Sequence, residues 1–282
     1  MLISCLLPTF NRYPNNLQLL NEAIQCFLMQ DYPTKELIIC NDTPGQTLHI
    51  PRYLNHSNIF VYNLPHRFLT LGAKLNWMLQ RCTGTYVCRW DDDDISLPWR
   101  LSYSRHQLGQ WRHGEPFLDR LIPADNGKGA SHRLRQEWRP EQHWLWQGTS
   151  KLAGRITQKS SHPGNTHIMA IWHRNILGGT TRYPGEECPS GLEDQTFNTQ
   201  LRKRGYPHFG TDIPDDKIFY LYRWGSSPVH LSGPGGGDVM QETYKRLGHT
   251  IQPGEYEVSP QWYNDYTALA AAACTPELLP SP

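Results

Sequence analysis

Long apolar runs are missing from this chain, which limits what kind of protein it can be. No stretch of its 282 residues approaches the roughly 18 consecutive apolar residues that a transmembrane helix needs. The apolar run at residues 2–7 has no basic segment before it and is too short for a secretory signal peptide. We therefore expect no integral membrane segment, and the default expectation for location is cytoplasmic.

A large net charge and paired cysteine motifs are also missing. The net charge is +1, which does not call for nucleic acid or an anionic membrane as a partner. The seven cysteines are odd in number and include no C-x-x-C pair, and several lie inside apolar runs. We interpret them as small buried side chains in a reducing compartment, not as a disulfide framework.

Strand and helix patterns alternate over the first part of the chain. Apolar runs predict strands and helical spacing predicts helices, in the order strand, helix, strand, strand, helix, strand, at residues 2–7, 17–28, 36–40, 58–64, 71–82 and 86–90. Thr70 is the expected N-cap of the second helix. This order predicts an α/β fold with a mixed, mostly parallel sheet flanked by helices.

The chain changes character after these elements. Residues 110–167 are rich in Trp, His, Arg and Gly and have poor periodicity, which predicts an irregular insertion with some helix. Aromatic and cationic groups suit an acceptor-binding surface, although a basic aromatic packing layer beneath loops fits the same composition. A strand is predicted at 168–172, a helix at 192–201 and a further helical stretch near 239–247.

Four consecutive aspartates, Asp91 to Asp94, follow the fourth predicted strand. At about 4 Å, one like-charge pair costs about 4 kcal/mol at an effective dielectric near 20. Such a group at a strand end predicts a bound cation, and its oxygen ligands suit Mg²⁺ or Mn²⁺. A solvated acidic turn is the competing interpretation. The apolar strand before the run and Pro98 after it favour a tightly placed turn.

Polar groups follow two other predicted strands as well, at residues 8–12 and 41–44. Since ligands bind at the carboxyl ends of parallel strands, we expect these groups to meet the aspartates at one edge of the sheet.

These motifs, in this order, resemble those of family-two glycosyltransferases with the GT-A (Rossmann-like) fold. The resemblance covers residues 2–109 and 166–232 and rests on Leu6 to Arg12, Ile38 to Thr43, Leu71 to Asn76, Gly84 to Pro98 with its D-x-D segment, and Gly191 to Asp194. It implies transfer of a sugar from a nucleotide-sugar donor, a UDP-sugar, to an acceptor hydroxyl with inversion. It also implies Mn²⁺ or Mg²⁺ as cofactor and a carbohydrate or other hydroxyl compound as acceptor.

The resemblance also implies roles for single residues on the donor side. The donor-binding set is Pro8, Thr9, Arg12, Asp42, Lys74, Asn76, Asp91, Asp92 and Arg223. Among these, Asp42 is expected to contact the base, although a turn-making role is the plainer alternative. Asp91 and Asp93 are the expected metal ligands, with His230 as a further one.

For catalysis, the resemblance implies that Asp194 is the general base, with Glu193 as the adjacent alternative. Both lie at the start of a predicted helix, where carboxylates also cap the helix and favour its dipole. Capping is therefore a competing explanation for this acidic pair.

We divide the chain accordingly into a glycosyltransferase domain, 1–232, and a partly helical C-terminal extension with a mobile end, 233–282. Within the domain, 1–109 would bind the nucleotide sugar, 110–167 is the insertion and 168–232 the catalytic and acceptor half. Two other functions stay open. A nucleotidyltransferase would normally have a glycine-rich loop after the first strand, and a non-catalytic carbohydrate- or nucleotide-binding module would lack the D-x-D pair or the base.

Overall fold

The computed structural model describes residues 1–12, 17–49, 56–109, 137–140, 142–146, 155–161, 167–176, 182–185, 193–203, 210–211, 214, 217–223 and 250–257. The strands are β1 (Ile3–Thr9), β2 (Lys35–Asn41), β3 (Ile59–Asn63), β4 (Tyr86–Arg89), β5 (Ile95–Ser96), β6 (Glu137–Pro140), β7 (Gln142–Trp146), β8 (Arg155–Ser161), β9 (Ile171–His173), β10 (Gly210–Thr211), β11 (Tyr220–Arg223) and β12 (Thr250–Glu257). The helices are α1 (Leu17–Leu28), α2 (Leu71–Leu79), α3 (Arg100–Gly109) and α4 (Glu193–Lys203), with a 3-10 turn at His167–Met169.

The first six elements confirm the predicted order, from β1 to β4. Thr70 caps α2 as expected, because its Oγ1 accepts a hydrogen bond from the N–H of Ala73 at 3.1 Å. The helix predicted at 192–201 is α4, which begins one residue later and ends two residues later.

A seven-stranded sheet forms the centre of the fold, in the order β10-β6-β9-β4-β1-β2-β3. Among its described strands, only β9 runs antiparallel to the others. A second, five-stranded sheet has the order β12-β8-β7-β11-β5. The mixed, mostly parallel main sheet with flanking helices is thus confirmed.

Helices cover both faces of the main sheet because its central strands are apolar on both sides. In β1, Cys5 and Leu7 pack into one buried cluster with residues of α1 and α3. Leu6 points to the opposite face and packs with residues of α2 and α4. Strands buried on both faces read as continuous apolar runs, which explains why the sequence revealed them.

The prediction was wrong about the described parts of 110–167. We expected irregular chain with some helix, and these parts, apart from His167, are the strands β6, β7 and β8. β6 pairs with β9 and β10, and β7 pairs with β8 and β11, so all four partners come later in the chain and three of them lie beyond residue 167. Local periodicity does not record such distant pairing.

Four further strands, β5, β10, β11 and β12, were not predicted. β5 is two residues long, and β12 lies in the expected C-terminal extension, where it pairs antiparallel with β8. The helical stretch predicted near 239–247 lies outside the described residues. Within the part of the chain that the structure describes, no helix is long and apolar enough to span a membrane.

Candidate functional site

The carboxyl ends of β1, β2 and β4 meet at one edge of the main sheet, as predicted. β1 lies between the other two and pairs in parallel with both. The loops that follow these strands are joined by side chains, since the N–H of Asn11 donates to Oγ1 of Thr43 at 2.7 Å. Residues from three separate strands therefore build one surface, which we call the donor edge.

Asp42 and Lys74 form a buried ion pair at the end of β2. Lys74 Nζ lies 2.6 Å from Asp42 Oδ1 and also donates to the carbonyl oxygen of Thr9 at 2.7 Å. The other carboxylate oxygen of Asp42 accepts from the N–H of Phe68 at 3.0 Å. The Asp42 carboxylate is thus fixed by hydrogen bonds from two neighbouring segments, and it is buried from solvent.

Thr9 contributes an unsatisfied hydroxyl beside this pair. The residue is 3% exposed, and its Oγ1 has no hydrogen-bond partner in the described structure. Buried polar atoms in folded proteins nearly always have a partner, so this oxygen is a candidate ligand contact. Pro8, one residue earlier in β1, is half-buried and pairs with Cys40 of β2.

The four aspartates after β4 have different partners. Arg12 donates through Nε and Nη2 to the two oxygens of Asp92, at 2.7 and 2.6 Å. The same Nη2 lies 2.8 Å from Asp93 Oδ2. Asp94 accepts a hydrogen bond from the hydroxyl of Tyr220 at 2.5 Å. The protein's own donors therefore relieve part of the repulsion within the run.

Asp91 is paired instead with Arg89, the last residue of β4. Arg89 Nη2 lies 3.1 and 3.3 Å from the two oxygens of Asp91. Nη1 of the same guanidinium lies 2.8 and 2.9 Å from the two oxygens of Asp194, and 3.8 Å from Glu193 Oε1. Arg89 thus brings the predicted base and a predicted metal ligand together. We did not predict this role, although a charged residue ending an apolar strand was a visible signal.

Burial and charge shift the pKa values of these groups. Burial is the main cause that raises the pKa of Asp91 to about 6; Arg89 opposes the shift, and nearby carboxylates, led by Asp93, add to it. For Arg12, burial disfavours the charge, but the hydrogen bond and charge of Asp92 outweigh it and raise the pKa. Arg12 is therefore a permanent cation at the donor edge.

The two acidic residues of α4 differ in accessibility. The Glu193 side chain is 7% exposed and that of Asp194 is 29% exposed. Both lie in the first helical turn, where the helix dipole favours negative charge. Asp194 is thus the more accessible carboxylate of this pair.

Arg100, which the sequence did not single out, lies beneath the site. It is 1% exposed, and its Nη2 donates to the carbonyl oxygens of Arg89 and Ile168, at 2.7 and 2.8 Å. Its Nη1 donates to Ser96 Oγ at 2.7 Å, and its guanidinium lies 4.7 Å from the ring centroid of Trp90. These bonds fix the chain on both sides of the aspartate run.

Asn76 is not among the groups gathered at the donor edge. Its amide donates to the carbonyl oxygen of Tyr183 at 2.9 Å and accepts from the N–H of the same residue at 2.7 Å. It ties α2 to residues 182–185. At Gly72 of the same helix, an added Cβ would lie 2.1 Å from the carbonyl oxygen of Pro184.

The structure does not describe the side chains of two predicted site residues, Arg223 and His230. Arg223 ends β11, but its side chain is outside the described structure. His230 lies outside the described residues altogether.

The charge of the donor edge fits a divalent cation. Within the described part of the chain, six carboxylates lie there beside two guanidinium groups and one hydroxyl: Asp91, Asp92, Asp93, Asp94, Glu193 and Asp194 with Arg12, Arg89 and Tyr220. Among the described residues, no three acidic, histidine or cysteine side chains are grouped to enclose an ion. Mg²⁺ and Mn²⁺ need only one or two protein carboxylates when a diphosphate supplies other ligands.

The chain matches a known protein family over most of this region. The family described as "Glycosyl transferase family 2" matches residues 4–178. The curated protein "Putative glycosyltransferase EpsE" of Bacillus subtilis (strain 168) is 35% identical over 145 residues, which are 50% of this chain and 52% of that protein.

Solved structures share the fold. S. aureus TarS matches with a TM-score of 0.51 and 21% identity, over 81% of this chain and 37% of that one. S. aureus TarS 1-349 in complex with UDP matches with a TM-score of 0.50 and 19% identity, over 81% of this chain and 61% of that one. These matches confirm the predicted GT-A fold. The chain spans about half the length of the curated relative and under two thirds of these solved chains.

Proposed function

Because this chain belongs to glycosyl transferase family 2, we propose that it transfers a sugar from a nucleotide-sugar donor, a UDP-sugar, to a hydroxyl group of an acceptor. One observation carries the proposal. The guanidinium of Arg89 holds Asp91 of the donor edge and Asp194 of α4 within 3.3 Å of its nitrogen atoms. A donor-binding carboxylate and a proton acceptor are therefore neighbours.

The nucleoside of the donor would occupy the part of the edge formed by Pro8, Thr9, Arg12, Asp42 and Lys74. The hydroxyl of Thr9, which has no partner among the described residues, and the buried carboxylate of Asp42 are hydrogen-bonding groups that suit a polar base or a ribose. The UDP complex of TarS, which shares the fold, supports UDP as the first nucleotide to test.

The metal site would be formed by Asp93 and Asp91, with His230 as a further candidate ligand. A bound Mn²⁺ or Mg²⁺ supplies Lewis-acid stabilisation of the departing diphosphate. Arg12, which lies 2.8 Å from Asp93, is a second positive group beside this position, and Arg223 is a further candidate for neutralising phosphate charge. Asp92 is bound by Arg12 through both oxygens, and each oxygen keeps a second lone pair that could accept a hydrogen bond from the donor.

Asp194 would act as the general base. Its carboxylate takes the proton of the acceptor hydroxyl while the acceptor oxygen bonds to the anomeric carbon and the bond from that carbon to the diphosphate breaks. Attack from the face opposite the leaving group inverts the configuration. The greater exposure of Asp194 favours it over Glu193, which is nearly inaccessible to an acceptor. The acceptor region would lie in residues 110–167 and 168–232, much of which is outside the described structure.

A titration with UDP, monitored by calorimetry with and without Mn²⁺, tests the donor site first. We expect binding that strengthens at least about tenfold with Mn²⁺, because carboxylates outnumber cations among the described residues of the edge. Asp93→Asn should remove the metal effect. Asp31→Asn, which changes an exposed aspartate elsewhere, is the matched control.

Turnover is then measured as UDP released from a panel of UDP-sugars with mixed glycan acceptors. Release of UDP together with a glycosylated product supports the proposal. Absence of nucleoside diphosphate release from UDP- and GDP-sugars, or transfer of a nucleotidyl group with release of pyrophosphate, would overturn it.

A further inference from the structure

We propose that Arg89 is a positioning residue, which fixes the base Asp194 relative to the donor edge by holding Asp194 and Asp91 on one guanidinium. This inference rests on the proposed function, because it assigns Arg89 a part in the same transfer reaction. Arg89 touches neither substrate in this role and acts through the two carboxylates.

The division of its nitrogen atoms carries the inference. Nη1 donates hydrogen bonds to both oxygens of Asp194, at 2.8 and 2.9 Å, and Nη2 donates to both oxygens of Asp91, at 3.1 and 3.3 Å. A guanidinium is planar and rigid, so two carboxylates bound to it have restricted distance and orientation. The residues are far apart in sequence, since Asp194 lies 105 positions after Arg89.

Burial strengthens this restraint. Arg89 is 6% exposed, and its Nε has no hydrogen-bond partner in the described structure. A buried guanidinium depends on paired carboxylates to offset its lost hydration. Within the described residues, Asp91, Glu193 and Asp194 are those partners. Movement of Asp194 away from Arg89 would therefore leave a buried charge less well compensated.

Arg89 is itself fixed by the sheet. It pairs with Leu6 of β1 in the parallel register, and its carbonyl oxygen accepts from Arg100. The next residue, Trp90, donates its backbone N–H to Leu6 at 2.7 Å and its indole N–H to Ala23 at 2.8 Å. The guanidinium thus connects the rigid core of the sheet to the first turn of α4.

Lysine at this position separates charge from geometry. Arg89→Lys keeps the positive charge but offers one nitrogen atom, which cannot present the same planar pair of sites to two carboxylates. A displacement of about 1 Å in a catalytic group can cost about a hundredfold in rate. We therefore expect kcat to fall about a hundredfold, while the Kd for UDP changes by less than about tenfold.

The decisive measurement is a double-mutant cycle in kcat with Asp194→Asn. If Arg89 acts through Asp194, Arg89→Lys lowers kcat about a hundredfold in the wild-type background and less than about threefold in the Asp194→Asn background. Arg81→Lys is the matched control, since Arg81 lies over the Trp77 ring, 3.2 Å from its centroid, and contacts none of the described groups of the site. We expect this control to keep the wild-type kcat.

Equal losses of kcat in the two backgrounds, or an unchanged kcat in Arg89→Lys, would overturn the inference in favour of a purely structural role. If the Arg89→Lys variant does not fold, Arg89→Gln replaces it in the same double-mutant cycle. Wild-type turnover is measured before any variant. Its absence defeats the proposed function itself, and so the two failures are distinguishable.

Discussion

Arg12 joins the end of β1 to the end of β4 by a two-bond ion pair with Asp92, with Nε–Oδ2 and Nη2–Oδ1 distances of 2.7 and 2.6 Å. Both side chains are under 10% exposed. Removing one partner from a buried pair of this kind costs about 3–5 kcal/mol. The cation that the aspartate run predicts is thus supplied in part by the protein, which holds the run in place before any ligand binds.

Asp194→Asn should leave UDP binding within about threefold of wild type while kcat falls about a hundredfold or more, the usual range for loss of a general base. The amide keeps the shape of the carboxylate but cannot take the acceptor proton. Initial rates of UDP release and UDP calorimetry on the same preparation check both expectations.

Glu193→Gln is the matched control for that variant. Because Glu193 is buried and lies 3.8 Å from Arg89, we expect a kcat within about tenfold of wild type if Asp194 is the base. Wild-type turnover by Asp194→Asn would defeat the assignment.

The pKa of Asp91 predicts a pH-dependent stability. It is about 6 in the folded protein and about 3.9 in an unfolded chain. The folded protein therefore binds this proton more tightly, and ionisation of Asp91 opposes folding. The penalty is absent below about pH 4, grows between about pH 4 and 6, and is complete above about pH 6.

Asp91→Asn should accordingly be more stable than wild type by about 1–3 kcal/mol above pH 6, with the difference vanishing near pH 4. Urea unfolding of both proteins across this range, with Asp31→Asn as the control, measures it. A stability difference that does not vary with pH would contradict the assigned cause.

Gly72→Ala tests the contact between α2 and residues 182–185. In an open helix position this change stabilises by about 1 kcal/mol. Here the added Cβ would lie 2.1 Å from a backbone oxygen of Pro184, and overpacking of this kind costs about 1–3 kcal/mol. We therefore expect the urea midpoint to fall.

Gly45→Ala supplies the comparison for Gly72→Ala. It has no atom within 4 Å of the added Cβ, although its φ of 71° makes alanine unfavourable by about 1 kcal/mol. A Gly72→Ala variant as stable as wild type would show that the 182–185 segment yields readily.

Different features of the sequence had different predictive power. Leu6, Ile38 and Val87 lie in short apolar runs, so the central strands could be predicted from the local sequence pattern alone. β6 and β7 were missed because their partners, β9 and β11, follow much later in the chain. Asp42 and Asp194 were proposed as site residues through motif resemblance, and these roles stay predictions, whereas Arg89 and Arg100 were not singled out because only the structure shows what they contact.

The sequence by itself determined the order of the first strands and helices, the positions where they end and the types of residue placed there. Strands that are buried on both sheet faces need continuous apolar runs, and such runs can be recognised in the sequence itself. Only the tertiary structure decided which charges meet. Arg12 reaches Asp92 and Asp93, and Arg89 reaches Asp194, because parallel pairing of β1 with β4 and the docking of α4 bring these groups within bonding distance. Electrostatic pairing depends on distance in space, which local patterns along a chain do not encode.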